Sequence, residues 1–215
     1  MALEIVSVTR PAAGEPAGML VLLHGRGTSE QDLLPLADAL DPGRRLVAVL
    51  PRAPLRLPPG GNHWYVTREL GWPDPDTFLP TLATAGDWVD AAAAANGVEP
   101  DRVVLAGFSQ GCVMAHALGL GAGRPRPGGI IALSGFIPGA PGFDLDLAGR
   151  TETPVAIGHG TLDQVIPVEW GRQARMLLEG AGMAVRYRET VMGHGIDPEY
   201  VDELSGWLAD VVSGR

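Results

Sequence analysis

The sequence predicts an α/β fold, with a mostly parallel central sheet covered by helices on both faces and no large cap domain. Three observations carry this expectation. Short, continuous apolar runs such as Met19-Leu20-Val21-Leu22-Leu23 and Gly129-Ile130-Ile131-Ala132-Leu133 read as strands buried on both faces. Segments with helical spacing alternate with these runs along the chain, the pattern of a parallel sheet with crossover helices. The chain has 215 residues, 46% hydrophobic and 19% charged, which fits one packed domain over residues 1–215 and argues against disorder.

In chain order, residues 3–9 alternate as an edge strand, and a turn rich in Pro, Ala and Gly leads to the run at Met19. That run ends in His24-Gly25-Arg26-Gly27. Thr28, followed three residues later by Gln31, has the form of a capping box and predicts a helix over 29–40, with Leu33, Leu36, Ala37 and Leu40 on its apolar side. A buried strand is expected over 46–50. Residues 51–84 form a Pro- and Gly-rich excursion containing His63-Trp64-Tyr65 and Gly71-Trp72-Pro73, whose aromatics read either as anchors of the loop or as substrate contacts. A helix over 85–96 ends at Asn96-Gly97. Val103-Val104-Leu105-Ala106 is the next strand, and it runs into Gly107-Phe108-Ser109-Gln110-Gly111 and a helix over 110–120. Further strands are expected over 129–134, 154–158 and 185–191, with helices over 167–180 and 198–212.

Composition excludes several functions. A net charge of -9 with no basic tract disfavours nucleic acid, whose phosphates are bound by clustered Lys and Arg. All 16 basic residues are arginine, so neither a lysine Schiff base nor a Gly-Lys-Ser/Thr phosphate loop is available. The single cysteine, Cys112, cannot form an intrachain disulfide, which suits a reducing cytoplasm. The first eight residues lack the charge and apolar run of a signal peptide, and no apolar stretch is long enough for stable membrane insertion. No histidine pair has zinc-ligand spacing with a third ligand, so neither a metal nor another cofactor is expected.

Gly107-Phe108-Ser109-Gln110-Gly111 has the form of a nucleophile elbow, in which small residues allow a tight strand-to-helix turn that exposes the serine hydroxyl. Read alone, it is equally an ordinary Gly-rich turn. Loops at the carboxyl ends of parallel strands converge on one edge, and Asp163 and His194 also follow strands. A serine hydroxyl is a weak nucleophile that needs an imidazole to take its proton and a carboxylate to orient that imidazole. The chain order Ser109, Asp163, His194 is that of α/β-hydrolases. His159 is the rival for the base, while Cys112, one turn inside the helix, reads as a core residue. Backbone N–H groups of Arg26 and Gln110 are the candidate oxyanion donors.

Leu22-Leu23-His24-Gly25-Arg26-Gly27, Gly107-Phe108-Ser109-Gln110-Gly111, Leu133-Ser134-Gly135, His159-Gly160-Thr161-Leu162-Asp163-Gln164-Val165-Ile166-Pro167 and Gly193-His194-Gly195 together resemble the phospholipase/carboxylesterase family of α/β-hydrolases, which includes acyl-protein thioesterases. The resemblance implies Ser109, Asp163 and His194 as the triad, with the Arg26 and Gln110 N–H groups as oxyanion hole. Where that family often follows its Trp-aromatic pair with Asp, Val66 stands here. The function expected is a serine esterase acting on carboxylic esters, with thioesters and lysophospholipids as further candidate substrates, working as monomer or homodimer. Trp64, Phe136, Ile137, Val165 and Ile166 are the candidate acyl contacts. A lactone or dienelactone-type hydrolase and a non-catalytic binding protein on the same fold are the alternatives.

Overall fold

The computed structural model describes residues 3–213. The chain runs through β1 (Ser7–Arg10), β2 (Met19–Leu23), α1 (Leu34–Leu40) and β3 (Val47–Pro51). Two short hairpins follow, β4 (Leu55–Arg56) with β5 (Asn62–His63) and β6 (Thr67–Glu69) with β7 (Trp72–Pro73). Then come α2 (Pro75–Ala95), β8 (Val103–Phe108), α3 (Gln110–Leu120), β9 (Gly129–Leu133), β10 (Val155–Gly160), α4 (Glu169–Gly180), β11 (Val185–Thr190) and α5 (Pro198–Ser213).

The expected parallel sheet is present. Seven strands pair in the order β1-β3-β2-β8-β9-β10-β11, and every pairing is parallel except that of the edge strand β1 with β3. From β2 the chain steps to β3 on one side and later to β8 on the other. The strand order therefore reverses beside β2, which opens a crevice at the carboxyl ends of β2 and β8. Both faces of the central strands are buried, as their uninterrupted apolar runs require. Met19, Val21 and Leu23 pack in the cluster that also contains buried residues of α2, α3 and α4, whereas Leu20 and Leu22 point into the cluster with α1 and α5.

Two helix starts differ from those expected by five residues or more. The helix expected over 29–40 begins only at Leu34, and its start carries no side-chain cap. The Thr28 hydroxyl is engaged elsewhere, donating to the Gly25 carbonyl at 2.9 Å, and Pro35 suits the first helical turn because that turn needs no N–H there. In the other direction, α2 starts ten positions earlier than residue 85, directly after Asp74. Pro80 looked like part of a loop, but it removes only one early helical bond. Phe78, Thr81, Ala85, Val89 and Ala93 form a buried stripe at helical spacing, and this packing outweighs the local cost.

Helix α3 is buried along its whole length, including His116, which is 1% exposed. Burial lowers the His116 pKa from 6.5 to about 4, so the ring is neutral at pH 7. Between those values the unfolded chain takes up a proton that the native protein does not, so stability falls as pH drops across that window. The loss is on the order of 3 kcal/mol. His116→Leu is expected to flatten this dependence in urea unfolding at pH 4.5 and 7. An unchanged slope would show that another group is responsible.

Candidate active site

Strand β8 ends at Phe108, and the next residue makes the turn into α3. Ser109 has φ 55° and ψ -120°, a backbone conformation costing about 1–3 kcal/mol for a residue with a Cβ. The turn is possible only because of its two glycines. A Cβ on Gly107 would lie 2.1 Å from the Gly111 carbonyl oxygen, and one on Gly111 would lie 1.8 Å from that of Leu23. The Ser109 N–H donates to the Leu133 carbonyl at 2.9 Å, which fastens the turn to β9. Strain and anchoring together hold the hydroxyl out over the sheet edge.

Three residues from different strand ends meet there. His194 Nε2 is 2.9 Å from Ser109 Oγ, and His194 Nδ1 is 2.7 Å from Asp163 Oδ2. The Asp163 side chain is fully buried, and its Oδ1 accepts the N–H groups of Val165 (2.8 Å) and Ile166 (2.9 Å). Burial raises the Asp163 pKa, but the bonds from His194, Ile166 and Val165 together outweigh it and hold the carboxyl below its usual value. Asp163 is therefore an anion at neutral pH. A carboxylate can only accept, so it fixes His194 as the tautomer with a proton on Nδ1 and a free Nε2 lone pair facing the serine.

The loop carrying His194 is itself held. Ser134, with φ 51°, donates its hydroxyl to the Gly195 carbonyl at 2.8 Å, and the Phe108 ring lies 4.9 Å from the His194 ring. Neither contact was among the expected site features, because each joins residues distant in sequence.

His159, the rival base, is buried beneath this arrangement. Its Nε2 donates to the Ile166 carbonyl at 2.8 Å and lies 3.5 Å from Asp163 Oδ2, so it braces the loop that grips Asp163. Cys112 is also enclosed, and burial pushes its thiol well above the range in which a thiolate forms. His24 closes β2 as a structural residue. Its Nε2 accepts the Ala53 N–H at 3.0 Å, which leaves Nδ1–H to donate to the Gly25 carbonyl at 2.7 Å.

A cleft of about 460 Å³ opens over Ser109 and His194, lined also by Arg26, Tyr65, Thr67, Leu70, Gln110, Phe136, Val165 and Ile166. The backbone N–H groups of Arg26 and Gln110 donate to no protein acceptor among the described residues. Of the candidate acyl contacts, Phe136, Val165 and Ile166 line this cleft, while Ile137 lies in a neighbouring groove with Trp72, Trp170 and Leu177. Trp64 does not reach the cleft. It is fully buried and donates its indole N–H to the His24 carbonyl at 2.8 Å, so its polar edge is satisfied inside the fold and it anchors the excursion. Val66, at the position where Asp is common, is exposed and holds the chain through its backbone, its N–H donating to Thr77 Oγ1 at 3.0 Å. Tyr65, one of the excursion aromatics read as loop anchors or substrate contacts, lines the cleft; Thr67 and Leu70 were not expected there, since a loop sequence does not reveal which side chains turn inward.

No helix among the described residues is long and apolar enough to cross a membrane. Over residues 4–212 the chain matches the sequence model of the phospholipase/carboxylesterase family. It is 30% identical over 230 residues to an acyl-protein thioesterase of Gibberella zeae, covering 95% of both chains. It is 27% identical to a probable carboxylesterase of Oryza sativa, covering 92% of this chain and 79% of that one. The fold superposes on the crystal structure of the Bacillus cereus carboxylesterase with a TM-score of 0.83 at 24% identity, over 96% of this chain and 94% of that one. The chain belongs to the phospholipase/carboxylesterase family of α/β-hydrolases and is an ester-hydrolysing enzyme.

Proposed function

We propose that the enzyme hydrolyses carboxylic esters and thioesters through an acyl-enzyme on Ser109. His194 Nε2 takes the hydroxyl proton as Ser109 Oγ bonds to the carbonyl carbon, and the carbonyl electron pair moves onto oxygen. The N–H groups of Arg26 and Gln110 receive that oxyanion. Collapse expels the alcohol or thiol, which leaves with the proton from His194. Water then enters by the same route, losing its proton to His194, and releases the acid. Asp163 stabilises the imidazolium in both halves. The observation that carries this reading is the pair of short hydrogen bonds from Ser109 through His194 to Asp163 at the floor of an open cleft.

Leu70, Phe136, Val165 and Ile166 offer the acyl group an apolar wall. Thioesters enter the proposal because of the similarity to acyl-protein thioesterases. The lone, buried Cys112 fits work in a reducing cytoplasm. A panel of p-nitrophenyl esters of increasing acyl length, the matching thioesters and simple lactones tests the substrate class. Turnover of esters and thioesters is expected. Turnover of lactones alone would assign the site to the alternative hydrolase, and turnover of nothing would favour a binding protein.

A further inference from the structure

Gln110 carries a side chain whose position the chemistry above does not use. It is 5% exposed at the first position of α3, and all three of its hydrogen bonds cross to the excursion between β3 and α2. Its Oε1 accepts the Trp64 N–H at 2.9 Å, while its Nε2 donates to the Tyr65 carbonyl at 2.8 Å and to Thr67 Oγ1 at 3.2 Å. The site requires one acceptor and two donors in a plane, which is the inventory of a primary amide. A carboxylate has no donor for the Tyr65 carbonyl, a thioether has none at all, and asparagine is one methylene short.

The excursion is also held at its far end. The Gly139 N–H donates to the Gly71 carbonyl at 3.1 Å, and Trp170 packs so closely that a Cβ on Gly71 would lie 2.1 Å from its ring. The segment 64–71 is thus clamped at both ends, and between the clamps Tyr65, Thr67 and Leu70 line the cleft over Ser109.

We propose that the Gln110 side chain is a positioning residue that locks this roof to the nucleophile turn, and so sets how tightly the acyl part of an ester is held. The inference rests on the reading of the cleft as an ester-hydrolysing site. One residue then ties two functions together, its N–H facing the reacting carbonyl and its amide fixing the wall that the acyl chain lies against.

The test compares Gln110→Glu and Gln110→Met with wild type on p-nitrophenyl acetate and octanoate. For octanoate, KM is expected to rise about tenfold with kcat falling less than about threefold, the signature of lost uniform binding. Acetate, with a two-carbon acyl group, offers less surface to the roof and should show a smaller rise in KM. Thr67→Val, which removes only the longest of the three bonds, should move octanoate KM in the same direction by about two- to threefold. A fall in kcat with KM unchanged for both esters would overturn the proposal, because the amide would then act on the turn alone.

Hydrogen–deuterium exchange gives a readout that needs no turnover. Peptides covering residues 63–73 should exchange about tenfold faster in both Gln110 variants, with β8 unchanged. Unaltered protection of that segment would overturn the proposal. If wild type hydrolysed neither ester, the functional reading would fail, and the exchange result would still decide whether Gln110 holds the roof.

Discussion

Ser109→Ala is expected to lower kcat for a p-nitrophenyl ester by about a million-fold, the size of effect that follows removal of the nucleophile in serine hydrolases. Among the described residues His194 Nε2 has its one hydrogen bond with Ser109 Oγ, at 2.9 Å, so no neighbouring group replaces it. Cys112 is enclosed in the core and its thiol is held protonated by burial. KM should change little, because the cleft walls and the two N–H donors remain. The variant should also stay within about 1 kcal/mol of wild type in stability. Alanine bears the same φ of 55° as serine, and the one side-chain bond lost is that to His194. Activity within about a hundredfold of wild type would place the nucleophile elsewhere.

Asp163→Asn carries the second largest effect, about ten-thousand-fold in kcat. The amide oxygen would take the place of Oδ1, since the N–H groups of Val165 and Ile166 both point at it. The NH2 group must then face His194 Nδ1, which can receive it only as an acceptor. The proton moves to Nε2, the imidazole presents N–H to Ser109, and no base remains. Because the geometry is kept while the tautomer is reversed, KM should stay within a few-fold of wild type and kcat should carry the loss. A loss below about tenfold would mean that His194 does not depend on Asp163 for its protonation state.

The sheet was legible because a strand buried on both faces leaves a mark that needs no partner to read. Met19–Leu23 and Gly129–Leu133 are uninterrupted apolar runs; the first has the bounds the sequence suggests, and the second stops one residue short of the expected 129–134. The meeting of Ser109, Asp163 and His194 was legible for a different reason. Ser109 and His194 are 85 positions apart and Asp163 lies 31 before His194, yet the parallel topology delivers all three strand ends to one edge. Topology converts order in the chain into proximity in space.

Other features depend on contacts that have no local signature. The first half of α2 is helical because Phe78 and Thr81 are buried against the core, which Pro80 masks in the sequence. Trp64 and Phe136 are both aromatic residues placed near the site by the chain, but one turns its indole into the fold toward His24 and the other lines the cleft. Gln110 could be read as an N–H donor from its place after the serine. That its amide grips Trp64, Tyr65 and Thr67 follows only from the path of a loop 43 to 46 residues away.

The most direct measurement is the mass of the protein quenched in acid during turnover of p-nitrophenyl butyrate, followed by peptide mapping. A single butyryl group on the Ser109 peptide, absent from Ser109→Ala and accumulating in a variant slowed at deacylation, is the predicted result. Turnover with no acyl adduct, or an adduct on any other residue, would contradict an acyl-enzyme on Ser109.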